Sequence, residues 1–185
     1  MSLDYAILGF LNYHPYSGYD LKKIFDVSVR HFWPADQSQI YRTLTRLAEQ
    51  GFAEIEVVPQ EDRPDRKVYH ITESGRAELV RWLAGPSPME EVRSPSLVQV
   101  FFLAQLSDQE VLAKFEDLAA TLRGVLARYE AVPQVVEPFR REINSPRDYF
   151  FWMLTLEQGL GAARSALEWA ESVIARIRSG QVPDR

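Results

Sequence analysis

The feature that most restricts the fold of this chain is an apolar stripe toward its C-terminal end. From Tyr149 to Ile177, apolar residues recur at alternating steps of four and three without a miss. The stripe consists of Tyr149, Met153, Leu156, Leu160, Ala163, Leu167, Ala170, Ile174 and Ile177. This heptad spacing predicts one helix of roughly eight turns, which needs a partner at least as long. Ser145 as N-cap, Pro146 at N1 and Asp148 at N3 predict where the helix begins.

A second long helix is predicted just before it. Ser107 and Glu110 form a capping box, and an apolar seam follows before the expected helix end near Pro133. The seam consists of Val111, Phe115, Leu118, Leu122, Val125 and Tyr129. Residues 97–106, LVQVFFLAQL, are almost continuously apolar, so we expect them to be buried on most sides.

The two seams allow an intrachain helix bundle or a homodimer. The chain offers only one other long helix to cover the stripe from Tyr149 to Ile177. Together the two helices leave apolar positions such as Leu112, Ala119 and Leu126 without an obvious cover. Because such seams are rarely left exposed, we expect a homodimer.

The N-terminal third has a different pattern, with three short helices followed by a hairpin. Apolar spacing predicts helices over residues 3–12 and 19–29, the second capped by Ser17, and a third that ends at Gly51. The period then changes from 3.6 to 2 in FAEIEVV and KVYHI, which predicts two strands joined by the polar loop PQEDRPDR. Thr72 is the expected cap of a fourth helix.

Composition excludes several classes of function. The 185 residues include no cysteine and three histidines, none of them at a metal-binding spacing. GLGAAR at 159–164 has no preceding strand and no closing glycine, and no nucleophile with a nearby base is evident. We therefore expect no enzyme activity, metal or cofactor. The N-terminal apolar run is too short for a membrane span and lacks the basic flank of a signal peptide, which indicates a cytoplasmic protein.

Three helices followed by a hairpin form a winged helix-turn-helix, whose third helix enters a DNA major groove. The candidate DNA-binding residues on that helix are Ser38, Gln39, Arg42, Thr43 and Arg46, which we expect on its outer side. Ser38 and Gln39 can donate and accept hydrogen bonds at base edges, and Arg42 can pair with guanine in a bidentate manner. Arg46, further along, is better placed to reach a phosphate.

The wing supplies a second candidate contact through Arg63, Arg66 and Lys67. The alternative for these residues is a solubilising loop, because neighbouring acids cancel their charge. Residues 1–83 carry ten Lys and Arg against twelve Asp and Glu, and the whole chain has a net charge of -5. This balance predicts modest non-specific affinity for DNA. It also leaves open a winged-helix module that binds another protein and no DNA.

Four stretches in the first 110 residues resemble the PadR family of transcriptional regulators, in its longer subclass with a large C-terminal helical domain. They are YAILGFLNYHPYSGYDLKKIF with its Gly18-Tyr19 and Leu21, SQIYRTLTRLAEQGFAE, RKVYHITESGRAEL and PSLVQVFFLAQLSDQE. The resemblance implies a homodimer that binds palindromic operator DNA, usually as a repressor, through dimerising C-terminal helices. It also implies that Tyr41 faces DNA with Arg42 and the basic wing residues, packing its ring while its hydroxyl turns to a phosphate.

Some relatives sense phenolic acids or flat hydrophobic drugs, commonly through aromatic side chains at the dimer interface. A corresponding effector pocket in this chain would use Phe151, Trp152 and Trp169, which lie off the heptad stripe. A small aromatic or hydrophobic ligand is therefore a possible partner beside DNA and a second copy of the chain.

The expected architecture is mainly α. Residues 1–85 form a winged helix-turn-helix DNA-binding domain of three helices and a two-stranded wing. Residues 86–185 form an all-helical dimerisation domain with long antiparallel helices and a possible effector site.

Overall fold

The computed structural model describes residues 2–30, 32–60, 65–87 and 94–183. The chain divides into two compact units, Met1–Pro88 and Met89–Arg185. In the first unit the elements are α1 (Ser2–Tyr13), β1 (Tyr16–Ser17), α2 (Gly18–Val27), α3 (Gln37–Glu49), β2 (Ala53–Val58), β3 (Arg66–Ile71) and α4 (Glu73–Leu83). In the second they are α5 (Pro95–Phe101), a 3-10 turn (Leu103–Gln105), α6 (Asp108–Val135), α7 (Glu137–Ile143) and α8 (Pro146–Arg178).

The helices of the first unit begin and end at local signals. Ser17 caps α2 and Thr72 caps α4, as predicted. Asp36 caps α3 and forms a full capping box with Gln39, a signal that we had not used. Gly51 follows α3 with φ +74°, a backbone conformation that glycine adopts without a steric penalty.

The sheet of the first unit has three strands in the order β1-β3-β2, all antiparallel. The predicted hairpin is correct, with Ile55 opposite Tyr69 and Val58 opposite Arg66. The sequence did not indicate β1, whose two residues pair with Tyr69 and Val68. Because β1 leads directly into α2, this pairing fastens the start of α2 to the middle of β3.

The core of the first unit joins three helices to one face of the sheet. The stripes predicted on α1, α2 and α3 point inward, and Tyr69 and Leu79 add the sheet and α4. The fully buried residues on the three helices include Ile7, Leu8, Leu21, Phe25, Ile40, Leu44 and Leu47. Burial of each such side chain stabilises the fold by about 1.5–3 kcal/mol. This core fixes α3 against α1 and α2, so the outer face of α3 is held in place.

The second unit is built on the antiparallel pair α6 and α8. Ion pairs of Glu116 with Arg178, Arg123 with Glu171 and Glu130 with Arg164 run in opposite order along the two helices. The caps predicted at Ser107 and Ser145 are both present. The predicted end of α6 near Pro133 is confirmed to within two residues, because the helix passes through this proline and ends at Val135. A proline this close to the end of a helix removes only one of the last hydrogen bonds.

The heptad stripe of α8 faces α6. Ala170 and Ile174 form a buried cluster with Phe115 and Ala119 of α6. The expectation that Ala119 lacks a cover is therefore wrong, because the intrachain pair buries it. Leu112 is partly buried against the same cluster. The intrachain packing thus accounts for part of the seam that had suggested a dimer.

The apolar run at 97–106 is largely exposed in the single chain, contrary to the prediction. Phe101 is 81% exposed, and Leu97, Val98 and Phe102 are also more than half exposed. Only Val100 and Leu103 pack against the α6 and α8 cluster. A helix of seven residues presents one side to that cluster and leaves its other side uncovered. None of the helices in the described ranges is long and apolar enough to cross a lipid bilayer.

Candidate nucleic-acid interface

The outer face of α3 carries an exposed polar patch near its N-terminal end. Ser38, Gln39 and Arg42 are exposed, as predicted. The side-chain oxygen of Gln39 accepts a hydrogen bond from the backbone N–H of Asp36 at 2.9 Å, which turns this oxygen toward the helix start and leaves the amide N–H groups for a ligand. Arg42 donates to the Ser38 carbonyl at 3.3 Å. It forms no ion pair with any residue in the described ranges, which leaves its charge available to a partner.

Thr43 does not belong to this face. Its side chain is only 3% exposed, so the expectation that it lies on the outside of α3 is wrong. At 100° per residue Thr43 lies about 40° from Leu47 and hence on the inward stripe. Thr45 is exposed instead, close in angle to Ser38 and Arg42, and donates to the Tyr41 carbonyl at 3.1 Å. Thr43 was expected on the outer face because it is polar, although its helix position places it on the inward stripe.

Arg46 is committed to a contact within the protein. Its guanidinium forms an ion pair with Asp4 of α1, and its Nε is buried. The Asp4 carboxylate is mostly shielded from solvent. A phosphate contact by Arg46 would require this partly buried pair to open. Arg46 thus contributes to the packing of α3 on α1, and its predicted phosphate contact stays a prediction.

Tyr41 of α3, the recognition helix, packs against the start of α2. A Cβ atom at Gly18 would lie 2.7 Å from two carbons of the Tyr41 ring, so only glycine allows the ring its position. Tyr41 is 40% exposed. Its ring thus packs on the backbone of Gly18 while part of the side chain stays accessible. This agrees with the ring packing that the family resemblance implied.

The loop end of the wing is tied to α2 by an ion pair. Arg66 Nη2 lies 2.5 Å from Asp20 Oδ2, and the Ser17 hydroxyl donates to the same oxygen at 2.6 Å. Burial disfavours the charged form of Asp20, but the hydrogen bond from Ser17 and the charge of Arg66 outweigh it and lower the pKa of this carboxyl. Lys67 is exposed and forms no ion pair with a described residue. Arg63 lies outside the described residues.

A cleft of about 490 Å³ brings the recognition helix and the wing together. Its walls come from the start of α2, Tyr41 of α3 and the loop end of the hairpin. The lining residues are Ser17, Tyr19, Asp20, Tyr41, Gln60, Asp65, Arg66 and Lys67. The structure thus places Tyr41, Arg66 and Lys67, which the sequence had assigned separately to helix and wing, around one concave surface.

The three residues predicted as an effector pocket are not grouped within one chain. Trp152 stacks on Phe139 of α7 with ring centroids 5.2 Å apart, and Trp169 contacts Phe115 edge to face at 5.3 Å. Seventeen residues of helix α8 place Trp152 and Trp169 about 25 Å apart at 1.5 Å per residue. Phe151 is exposed with the Arg147 guanidinium 5.3 Å from its ring centroid. A single pocket lined by all three is therefore excluded within one protomer.

The sequence interpretation missed four residues that shape this interface. Asp4 binds Arg46, which is 42 positions further along the chain, and Asp20 binds Arg66, which is 46 positions further along. Gly18 accommodates the Tyr41 ring of another helix. No local pattern reveals such partners. Asp36 was detectable, because aspartate followed three residues later by glutamine is a capping-box signature.

Comparison with known proteins links both units to one group of regulators. Residues 7–81 match the transcriptional regulator PadR-like family, and residues 92–178 match the virulence activator alpha C-terminal family. The negative transcriptional regulator PadR of Bacillus subtilis (strain 168) is 33% identical over 180 residues, which cover 95% of this chain and 97% of that protein.

Solved structures of the same relative have this fold. The crystal structure of Bacillus subtilis PadR in complex with operator DNA has a TM-score of 0.82 and 31% identity, covering 96% of this chain and 99% of the other. Its complex with p-coumaric acid has a TM-score of 0.76 and 29% identity, with coverage of 96% and 99%. The winged helix-turn-helix with a helical C-terminal region is thereby confirmed. At this identity and coverage, the chain belongs to the PadR-like family of transcriptional regulators.

Proposed function

We propose that the chain binds palindromic operator DNA as a homodimer and represses transcription. The observation that carries this proposal is the cleft in which Tyr41 of α3 meets Lys67 and Arg66 of the wing, next to the exposed Arg42. In this arrangement a helix can enter the major groove while the wing contacts the flanking phosphates. The relative named as a negative regulator, crystallised with operator DNA, supports both the ligand and the sign of regulation. We place this activity in the cytoplasm.

The residues of α3 and the wing divide into two roles in this proposal. Arg42 reads a guanine, and Ser38 with the amide N–H groups of Gln39 contacts neighbouring base edges. Tyr41 and Lys67 bind phosphates. Arg63 and Arg66, which lie in the same wing as Lys67, have the same role. Thr43 and Arg46 are left out because the core and Asp4 hold them. Thr45 takes the place of Thr43.

We propose residues 1–85 as the DNA-binding domain and 86–185 as the dimerisation domain. The exposed apolar residues of α5 support this division, since contiguous apolar surface of this kind marks protein interfaces. Phe150, Phe151 and Leu154 form a further exposed apolar stretch at the start of α8. A second copy of the chain would cover such surfaces and hold two recognition helices at the spacing of successive grooves.

A small aromatic ligand is the proposed effector. Bacillus subtilis PadR binds p-coumaric acid, a planar ring with a carboxylate. At the junction of α7 and α8, Trp152 lies among aromatic rings, and the Arg140 guanidinium lies 5.6 Å from the Tyr149 ring centroid. An aromatic acid that inserts among these rings would compete with Glu137 for the Arg140 guanidinium. Repacking there would alter the dimer and so release the operator.

The experiment that tests the DNA-binding proposal is selection of duplexes from a random pool, followed by measurements with Arg42→Ala. The selected site should contain two half-sites about one helical turn apart. Arg42→Ala should cost about 1–3 kcal/mol and relax the preference at one base pair per half-site. Thr43→Ser, a change at a buried position of the same helix, serves as the matched control and should leave the base preference unchanged.

A further inference from the structure

We propose that Asp20 lowers the affinity of this chain for DNA of any sequence by holding Arg66 in an ion pair, away from the phosphate backbone. The inference rests on the proposed DNA-binding function and adds a residue that limits it. A regulator must find its operator among a large excess of other sites, so weak non-specific binding is useful. Asp20 is in this view a specificity-determining residue that touches no base.

The geometry shows that the Asp20 carboxylate is fixed rather than free to follow Arg66. Its Oδ2 atom accepts from the Ser17 hydroxyl at 2.6 Å and from Arg66 Nη2 at 2.5 Å. Ser17 is 93% buried, since only 7% of it is exposed, and it pairs with Val68 of β3. Asp20 also lies in the first turn of α2, where the helix dipole favours a carboxylate. The acid is thus anchored by α2, and Arg66 is the mobile partner.

The pair matters because few other cations are available at this surface. Arg46 is paired with Asp4, while Arg42 and Lys67 form no ion pair within the described ranges. Sequence-independent affinity for DNA comes from cations that displace counterions from phosphates. Arg66 already has a counter-charge 2.5 Å away, so it adds little to this count while the pair persists. Two acids from other helices thus mask two of the arginines near the recognition helix.

Asp20→Asn tests the inference, because the amide keeps an acceptor for Ser17 and a similar volume but removes the charge. The affinity for a mixed-sequence duplex about three helical turns long is measured across a series of salt concentrations. The slope of log K against log salt concentration should steepen by about 0.9 for each wing that gains a phosphate contact, hence by up to about 1.8 for the homodimer. Binding at the lowest salt should tighten severalfold.

Glu54→Gln is the matched control. It makes the same change in net charge on an exposed residue of β2, and Glu54 has no ion pair with a described residue to release. An equal gain in this control would overturn the inference in favour of a general charge effect. The double variant Asp20→Asn with Arg66→Ala should show no gain over Arg66→Ala alone. A gain that persists without Arg66 would also overturn it.

The remaining outcomes separate this inference from the proposed function. Unchanged or weaker binding by Asp20→Asn, with the unaltered protein binding duplex, rejects only the masking role. Binding that appears only in Asp20→Asn supports it, whereas no binding by any variant rejects both proposals. Asp20→Ser repeats the measurement if Asp20→Asn melts at a lower temperature than the unaltered protein.

Discussion

Single residues in the first unit are set by neighbours from distant parts of the chain. Gly75 occupies the position in α4 where a capping box would have glutamate or glutamine. A Cβ atom at Gly75 would lie 2.2 Å from the carbonyl oxygen of Phe52, and that backbone cannot move cheaply. Phe52 O is in turn the acceptor for the Thr72 N–H at 3.1 Å. The incomplete capping box is therefore explained by the close approach of a backbone to the helix start.

Gly75→Ala should destabilise the first unit. The clash with Phe52 must be relieved by a backbone shift, which we expect to lower the free energy of unfolding by about 1–3 kcal/mol. Native-state hydrogen exchange of the β2 and β3 amides measures this within the full chain. Gly9→Ala is the control, because a Cβ there meets nothing within 4 Å. It should raise stability by up to about 1 kcal/mol, and equal effects of the two changes would contradict the explanation.

At the scale of elements, signals within a few residues of one another were sufficient to predict most helices, whereas long-range contacts were not predictable. Helix α7 was not predicted, because it has no side-chain cap that marks its start. The caps at Ser107 and Ser145 depend on side chains three residues from the helix N–H groups they bind. The two-residue strand β1 exists only because β3 lies beside it, so no periodicity could reveal it. The candidate site divides similarly. Exposure of Arg42 followed from its helix position, whereas the partner of Arg46 could not be deduced.

Helix α7 shows how one short element depends on its charges. Hydrogen bonds from Arg140 and Arg141 lower the pKa of Glu137 to about 2. Arg140 donates to Glu137 from both Nε and Nη2, at 2.6 and 2.8 Å, and Arg141 Nε donates at 2.8 Å. Since α7 has no side-chain hydrogen bond at its N-cap, this network fixes its first turn. The ionised carboxylate also favours the positive end of the helix dipole.

Loss of this network should be visible in the acid range. A carboxyl whose pKa is lowered on folding stabilises the protein above its unfolded pKa, near 4.5, and this contribution is lost as the pH falls toward 2. Glu137→Gln should therefore reduce the protection of α7 amides at pH 7 and have a much smaller effect near pH 2. Glu157→Gln, an exposed acid without an ion pair among the described residues, should change neither. A pH-independent effect of Glu137→Gln would contradict this cause.

At the scale of the whole molecule, the apolar run at 97–106 indicates why burial predicted from sequence can fail for one chain. The run was expected to be buried, yet most of its large side chains are exposed in the second unit. The hydrophobicity of a segment indicates whether it is buried in the functional assembly, and that assembly includes any second copy of the chain. The exposed face of α5 is therefore consistent with the proposed homodimer.

Phe101→Asp should weaken that dimer without unfolding the chain. Phe101 is 81% exposed in the single chain, so a charge there costs little unless another surface covers it. If a second copy does so, the dimer dissociation constant should rise at least tenfold, or about 1.4 kcal/mol, in sedimentation velocity measurements. Val27→Asp, on an exposed position of α2, is the matched control and should leave the constant unchanged.

Operator affinity should fall together with dimerisation, because each half-site is then bound separately. A Phe101→Asp protein that stays dimeric at the same concentrations would show that the second copy docks elsewhere.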